Sequence, residues 1–369
     1  MKALRIGQTA AVLSVAALAL TACGSNGTAG TTSPAAGETS AAAVTGTLTG
    51  TGASSVGAAM VAWAEEFAAA NSGAQVNYTE EGSGAGRTGL IDGKVDFASS
   101  DAYLTDEELT ASEATCGPDG AFDVPIYVSP IAVAFNLEGI ESLNLDADTI
   151  ASIFSGKITA WNDEAIAALN PGVTLPDTKI TVVHRNDKSG TTENFTDYLA
   201  QAAPSVWTEE KSGDWPTAFA AESAKGTSGV VETVAKTAGA ITYADASRTT
   251  GLGIASVKVG EEFSAPTAEG AAKAADTAKA VEGRADHDIA FDLDRTSTEA
   301  GVYPISLVTF GLFCSSYADQ ETADLVKAFG TYITSAEGQE VAAADAGSSP
   351  LSAELSEKAA EAIATITVK

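Results

Sequence analysis

The stretch "KITVVHRNDKSGTTENFTDYLA", residues 179–200, changes texture twice within 22 positions. Ile180 and Val182 alternate with polar neighbours as a strand does, "NDKSGTT" is a turn of small residues, and Phe195, Tyr198 and Leu199 share one face at helical spacing. The same succession occurs twice nearer the start. Leu48 precedes the turn "GTGASS", after which Met60, Trp63, Ala64 and Phe67 follow a helical period. "AQVNYTEE" alternates, "GSGAGRTG" turns, and Leu90 and Ile91 begin another apolar face. Strands alternating with helices predict an α/β fold with largely parallel sheets. Ligands of such sheets bind beyond the C-terminal ends of the strands, which is where these turns lie.

A helix N-terminus offers unpaired backbone N–H groups and a partial positive charge, and small residues there let an anion come close. Ser54, Ser83, Ser189 and Thr191 could add hydroxyl donors, although each read singly serves equally well as the cap of its own helix. Arg185 stands at the end of the third strand, and its planar fork suits two parallel hydrogen bonds to an oxyanion. Asp187 is placed to hold that arginine, or is an ordinary turn aspartate.

The chain has 369 residues, 45% of them apolar and 19% charged, which suggests a folded protein of about two domains. With 49 acidic against 20 basic residues the net charge is −29. That excludes nucleic acid as a partner, and excludes docking on an anionic membrane through a basic patch. It does not exclude a small anion. Surface charges beyond a Debye length of about 8 Å are largely screened, whereas donors in a closed cleft act at contact distance in low dielectric.

Lys2 and Arg5 precede the apolar run "AAVLSVAALAL", which is too short to span a bilayer and suits the core of a signal peptide, residues 1–22. It runs into "LTAC", which resembles the bacterial lipobox, making Cys23 the lipid-bearing residue of an extracytoplasmic protein anchored to the cell membrane. Gly24 to Ala43 is Gly, Ser, Thr and Ala without an apolar face, so residues 23–43 read as a flexible lipid-anchored tether. Export into an oxidising compartment leaves Cys116 and Cys314 as a disulfide pair or as two buried thiols.

Several motifs lead nowhere. "GAGRTG", Gly84 to Gly89, matches a dinucleotide-binding turn, but an exported protein has no nicotinamide pool to draw on. His184, Asp187 and Ser189 are the residue types of a hydrolase triad, yet neighbours in one turn do not form the required line. His287, in "RADHDIAFDLD", reads as part of a solvated loop, and Glu261 to Ala285 as exposed helix and loop. With two histidines and no Cys-x-x-Cys there is no metal site, and no cofactor is expected.

"LTGTGAS", "VNYTEEGSGAG", "VDFASSDAYLT", "IFSGKITAWNDEAIAALNPGVTLP", "RNDKSGTT", "GAITYADAS" and "GVYPIS" together resemble the phosphate-binding proteins of the phosphate-specific ABC transporter, over nearly all of the folded chain. The resemblance implies a type II periplasmic-binding-protein fold, two α/β lobes with a ligand cleft between them, and no enzymatic activity. It places lobe I at 44–127 and 303–369 and lobe II at 128–302. Cys116 and Cys314 then fall in one lobe, which favours their pairing. It implies phosphate binding by Ser54, Ser55, Ser83, Asp101, Arg185, Asp187, Ser189, Gly190 and Thr191, with Asp101 as the carboxylate that faces the anion. The implied partners are inorganic phosphate, the membrane permease and its cytoplasmic ATPase, with the chain a monomer. Many relatives carry Thr-Phe-Pro where this chain has Ser54, Ser55 and Val56, so a hydroxyl is kept and an aromatic wall is lost. The alternatives are a binding protein for another oxyanion, sulfate or molybdate, and a secreted phosphoesterase.

Overall fold

A computed structural model describes residues 44–219 and 221–369. The signal peptide, Cys23 and the tether lie outside the described residues. Strand β1 (Thr45–Gly52) leads into α1 (Gly57–Ala70), β2 (Gly73–Thr79) into α2 (Ser83–Ile91), and β3 (Phe97–Ser100) towards α3 (Asp106–Cys116). Because β1 pairs in parallel with both β2 and β3, all three strands end at the same edge of the sheet. Met60, Trp63 and Phe67 of α1 are buried as their spacing predicts. Helix α3 starts on a capping box, Thr105 and Glu108 each satisfying the other's backbone N–H.

Next come β4 (Ala121–Phe135), β5 (Ser142–Leu145), α4 (Ala147–Phe154), α5 (Glu164–Leu169), β6 (Thr181–Arg185) and α6 (Gly190–Ala202). They are followed by β7 (Glu222–Ala224), α7 (Gly226–Lys236), β8 (Ala240–Asp245), β9 (Gly253–Val259), β10 (Glu262–Ser264), α8 (Ala268–Asp276) and a ribbon of β11 (Lys279–Ala280) with β12 (Phe291–Asp292). The chain ends through β13 (Ser306–Cys314), β14 (Ser316–Tyr317), α9 (Gln320–Thr334), α10 (Ala336–Ala346), α11 (Ala353–Ala364) and β15 (Thr367–Val368).

Strand β4, buried at every position, joins two halves. Up to Pro130 it pairs with β13, and from Ile131 onward with β8. The sheet order is β2-β1-β3-β13-β4-β8-β6-β7, with β9 beside β4 and carrying β5 and β10. The expectation of largely parallel sheets holds inside each half but not at the junction, where β13 runs antiparallel to β3 and β4, and β4 antiparallel to β8 and β9. Strands that carry the chain back from one half to the other must oppose those laid down by β–turn–α units. One half packs its helices around Phe67, Phe97 and Phe329, and the other around Phe154, Phe195 and Tyr243.

Residues 284–294 correct the sequence reading. His287 is half-buried with its ring edge-on to Phe122 at 5.2 Å, and Asp288 is buried, pairing with Arg284 at 2.9 Å and accepting from the N–H of Asp123 at 3.0 Å. Ile289 N–H donates to Asp123 O at 2.7 Å. The acidic segment is thus pinned to β4, some 165 positions away, which no local pattern could show. The 261–285 stretch, read as exposed helix and loop, also holds β10, paired with β9, and β11, and is partly buried along α8, with Gly270, Ala271 and Ala274 fully so. Cys116, ending α3, is bonded to Cys314, ending β13.

Asp245 closes β8 where β4 changes partner. Its carboxylate accepts from Ser129 Oγ at 2.6 Å, Tyr127 Oη at 3.2 Å, and the N–H and Oγ of Ser247 at 3.0 and 2.5 Å. Burial nevertheless pushes its pKa up to about 6, the serine bonds pulling it back only in part and the charge of Asp101 adding to the rise. A carboxyl raised in the folded state favours folding most below its unfolded pKa near 3.8, and that contribution is lost as pH rises through about 6. Asp123 is raised by burial too and acts with the same sign. The ligand-free protein should therefore melt a few degrees higher at about pH 5 than at pH 7.5. Asp245→Asn should flatten that rise in a calorimetric pH series; an unchanged slope would show that Asp245 titrates as an ordinary carboxylate.

Candidate functional site

The turns after β1, β2 and β3 face those after β6 and β7; Ser54, Ser83 and Asp101 approach residues of the opposite turns, whereas Ser55, Arg185 and Ser189 are bonded within their own half. From the first half come Ser54, Ser55, Ser83 and Asp101, and from the second Arg185, Asp187, Ser189, Gly190 and Thr191. Apart from half-buried Asp187, each is buried.

Asp101 is the hub. Its Oδ1 accepts from Ser55 Oγ at 2.6 Å and Thr309 Oγ1 at 2.8 Å, and its Oδ2 accepts from Thr191 Oγ1 at 3.1 Å. Its own N–H donates to Ser83 Oγ at 3.1 Å. Burial raises the pKa of Asp101, opposed by the three hydroxyls and by the charge of Arg185. Three donors fill most of a carboxylate's acceptor capacity of about four, leaving room for one more proton-bearing partner.

Arg185 ends β6, and its Nε and Nη2 grip the carboxylate of Asp187, Nε to Oδ1 at 2.8 Å. Burial alone would raise Asp187, but the hydrogen bond and charge of Arg185, joined by the Gly226 N–H at 3.0 Å, hold it below the usual carboxylate range. The arginine side chain is 2% exposed, and Nη1 remains free of that grip. His184 stays outside the site: its Nδ1 faces the carbonyl of Arg185, its ring stacks on Trp215 at 5.0 Å, and burial lowers its pKa.

Besides α1, which starts at Gly57 just after Ser55, three helices begin here. Ser189 Oγ caps α6 by accepting from Thr192 N–H at 3.2 Å, so that hydroxyl serves the helix while the backbone N–H groups of Gly190 and Thr191, in the first turn, have no partner within it. Helix α2 opens at Ser83 from Gly82, whose φ of +98° favours glycine and whose missing Cβ would lie 2.5 Å from Asp187 Oδ2. Helix α7 begins with Gly226 and Thr227 against the first turn: Thr227 N–H donates to Ser54 Oγ at 3.0 Å, and the two hydroxyls lie 2.9 Å apart. Gly190 is another point of close approach. A Cβ on it would lie 2.5 Å from Ser83 Oγ and 2.6 Å from Asp101 Cβ. The halves also meet through Gly84 N–H to Lys188 O at 3.1 Å and Asn194 Nδ2 to Asp101 O at 2.7 Å.

Thr227, Thr309 and Asn194 were not singled out in the sequence. "KGTSG" before the apolar face of α7 carries the same signal as "KSGTT" and was readable; Thr309 sits inside the buried strand "SLVTFGLFC" and reaches Asp101 only because β13 lies beside β3.

A donor-rich cradle beneath strand ends and helix N-termini, set between two α/β halves, defines an extracytoplasmic-type solute-binding fold. Residues 37–337 match the family model of the PBP superfamily domain, and the chain belongs to that superfamily. Within it the chain is a member of the PstS phosphate-binding protein family. It is 36% identical over 339 residues to phosphate-binding protein PstS 3 of Mycobacterium tuberculosis strain H37Rv, covering 89% of this chain and 90% of that one. It is also 36% identical over 342 residues to PstS 2 of the same strain, with the same coverage. Among solved structures, a high affinity periplasmic phosphate-binding protein (PfluDING) bound with phosphate shares the fold with a TM-score of 0.66 at 23% identity, covering 84% of this chain and 92% of that one.

Proposed function

We propose that this chain captures inorganic phosphate in the cleft and delivers it to an ABC permease for import. The observation that carries the reading is the pairing of Arg185, a buried cation with free donor capacity, with Asp101, a buried carboxylate with acceptor capacity to spare. Phosphate near neutral pH retains a proton and sulfate does not. An ionised Asp101 accepts that proton's hydrogen bond, whereas sulfate would set oxygen against oxygen with nothing between. Sites that demand a hydrogen bond discriminate by about 10⁴ to 10⁵. Relatives named for phosphate binding support this choice over sulfate or molybdate.

Ser54, Ser55, Ser83, Ser189, Gly190 and Thr191 supply the remaining donors by hydroxyl or backbone N–H, and Asp187 holds Arg185 in place. Residues 44–127 with 303–369 form lobe I and 128–302 form lobe II; closure brings the two sets of donors together and presents one shape to the permease. Two of the hydroxyls are already engaged structurally, since Ser189 caps a helix and Ser54 pairs with Thr227, which favours binding over a phosphoesterase. The protein works as a monomer outside the cytoplasm, held to the cell membrane by lipid on Cys23. Among the described residues no helix is long and apolar enough to cross a membrane.

Asp101→Asn tests the reading. The variant should bind sulfate measurably while losing affinity for phosphate, because an amide offers a donor where the carboxylate offered only acceptors. In the parent protein sulfate competition should grow as pH falls, since the raised pKa of Asp101 lets it take up a proton and become a donor at higher pH than an ordinary aspartate. Unchanged sulfate rejection in the variant would remove Asp101 from the specificity role.

A further inference from the structure

We propose that Arg295 is a positioning residue for the closed cleft, fixing the amide of Asn194 so that it latches onto the backbone of Asp101. The proposal rests on the phosphate-site reading above. Arg295 belongs to no helix or strand, yet it is 4% exposed and bonded on every nitrogen. Its Nε pairs with Asp197 Oδ2 at 2.9 Å, its Nη1 donates to the carbonyls of Pro304 and Ser306 at 3.0 and 2.7 Å, and its Nη2 donates to Asn194 Oδ1. Asn194 and Asp197 lie one turn apart on α6, the helix whose first turn borders the proposed phosphate site. Pro304 and Ser306 lie at the start of β13, where the chain returns to the first half.

The consequence lies in the orientation of one amide. With its oxygen taken by Arg295, Asn194 must turn its NH₂ the other way, where it donates to Asp101 O at 2.7 Å across the cleft and to Gly190 O at 3.0 Å. A flipped amide would face two carbonyls with a third oxygen. A cavity of about 180 Å³ borders Asp101, Asn194 and Arg295, so the amide is oriented by these hydrogen bonds. A guanidinium suits the task because its planar fork reaches a side chain, a carboxylate and two carbonyls at once, which a lysine cannot. The bond from Asn194 to Asp101 exists only while the halves are together, so it should act on the escape of phosphate and leave its arrival alone.

The test is stopped-flow measurement of phosphate association and dissociation on the mature chain, for the parent protein, Asn194→Ala, Arg295→Lys and the double variant, with a melting curve for each. Each single change should raise the dissociation rate roughly tenfold, the worth of a charge-assisted or latch hydrogen bond, with association nearly unchanged. The double variant should be no faster than Arg295→Lys alone, since both changes break one chain of contacts. Lower melting temperatures with an unaltered dissociation rate would overturn the proposal by making Arg295 a purely structural residue, as would two effects that multiply. Asn194→Ala keeps the test decisive if Arg295→Lys fails to fold. A parent protein that binds no phosphate would instead sink the underlying site reading.

Discussion

Arg185→Gln should cost about 10³-fold in phosphate affinity, the largest loss expected from any single change in this protein. Removing one partner of a buried ion pair costs about 3–5 kcal/mol because the other charge is left uncompensated. Here the stranded partner is Asp187, a carboxylate that would then lie beside an incoming anion instead of gripping a cation. The loss thus combines a missing charge contact with a new repulsion. The two parts separate in the double variant Arg185→Gln, Asp187→Asn. Thermal stability should recover towards that of the parent, since no buried charge remains unpaired, while phosphate affinity should stay low. Calorimetric titration with a melting curve for each variant reads both. Recovery of binding in the double variant would mean that the arginine acts only by neutralising Asp187.

Gly190→Ala should weaken phosphate binding by about 10- to 100-fold for a different reason. Overpacking by one methyl costs about 1–3 kcal/mol where neighbours cannot move away. A Cβ at Gly190 would meet Ser83 Oγ at 2.5 Å, Asp101 Cβ at 2.6 Å and Asp101 Cα at 3.0 Å, all of them in the opposite half of the site. The hydroxyl could rotate aside, but the aspartate backbone is held by Ser83 and Asn194 and could not. The strain falls on the closed form alone, so the ligand-free melting temperature should barely change while the rise produced by phosphate shrinks. An unaltered phosphate-induced rise would show that the halves do not close as tightly on the ligand as they do here.

Which parts of this were legible in the sequence follows from what each part depends on. The β–turn–α units were readable because each is local: a strand, a small-residue turn and an apolar helical face lie within about 25 positions, as in 179–200. Their turns then announced Ser54, Ser83, Arg185 and Thr191 by residue type, and the family motifs added Asp101. The parts that were missed depend on distant pairing. Thr309 donates to Asp101 from a strand more than 200 positions away, and nothing in its apolar surroundings marks it. Arg295, directly after the acidic segment 284–294, carries no local pattern that marks it, yet it is buried against α6 and the start of β13. Residues 284–289 looked solvated because alternating acids usually are, and became ordered through β4. Thr227 is the exception, since its small-residue helix start was in view.

The most direct test of the central claim is calorimetric titration of phosphate into the body from Ala43 onward, between pH 5.5 and 8.5, with and without excess sulfate. The expected result is tight one-to-one binding that sulfate leaves untouched at neutral pH. Absence of heat with phosphate, or displacement of phosphate by sulfate at neutral pH, would contradict it.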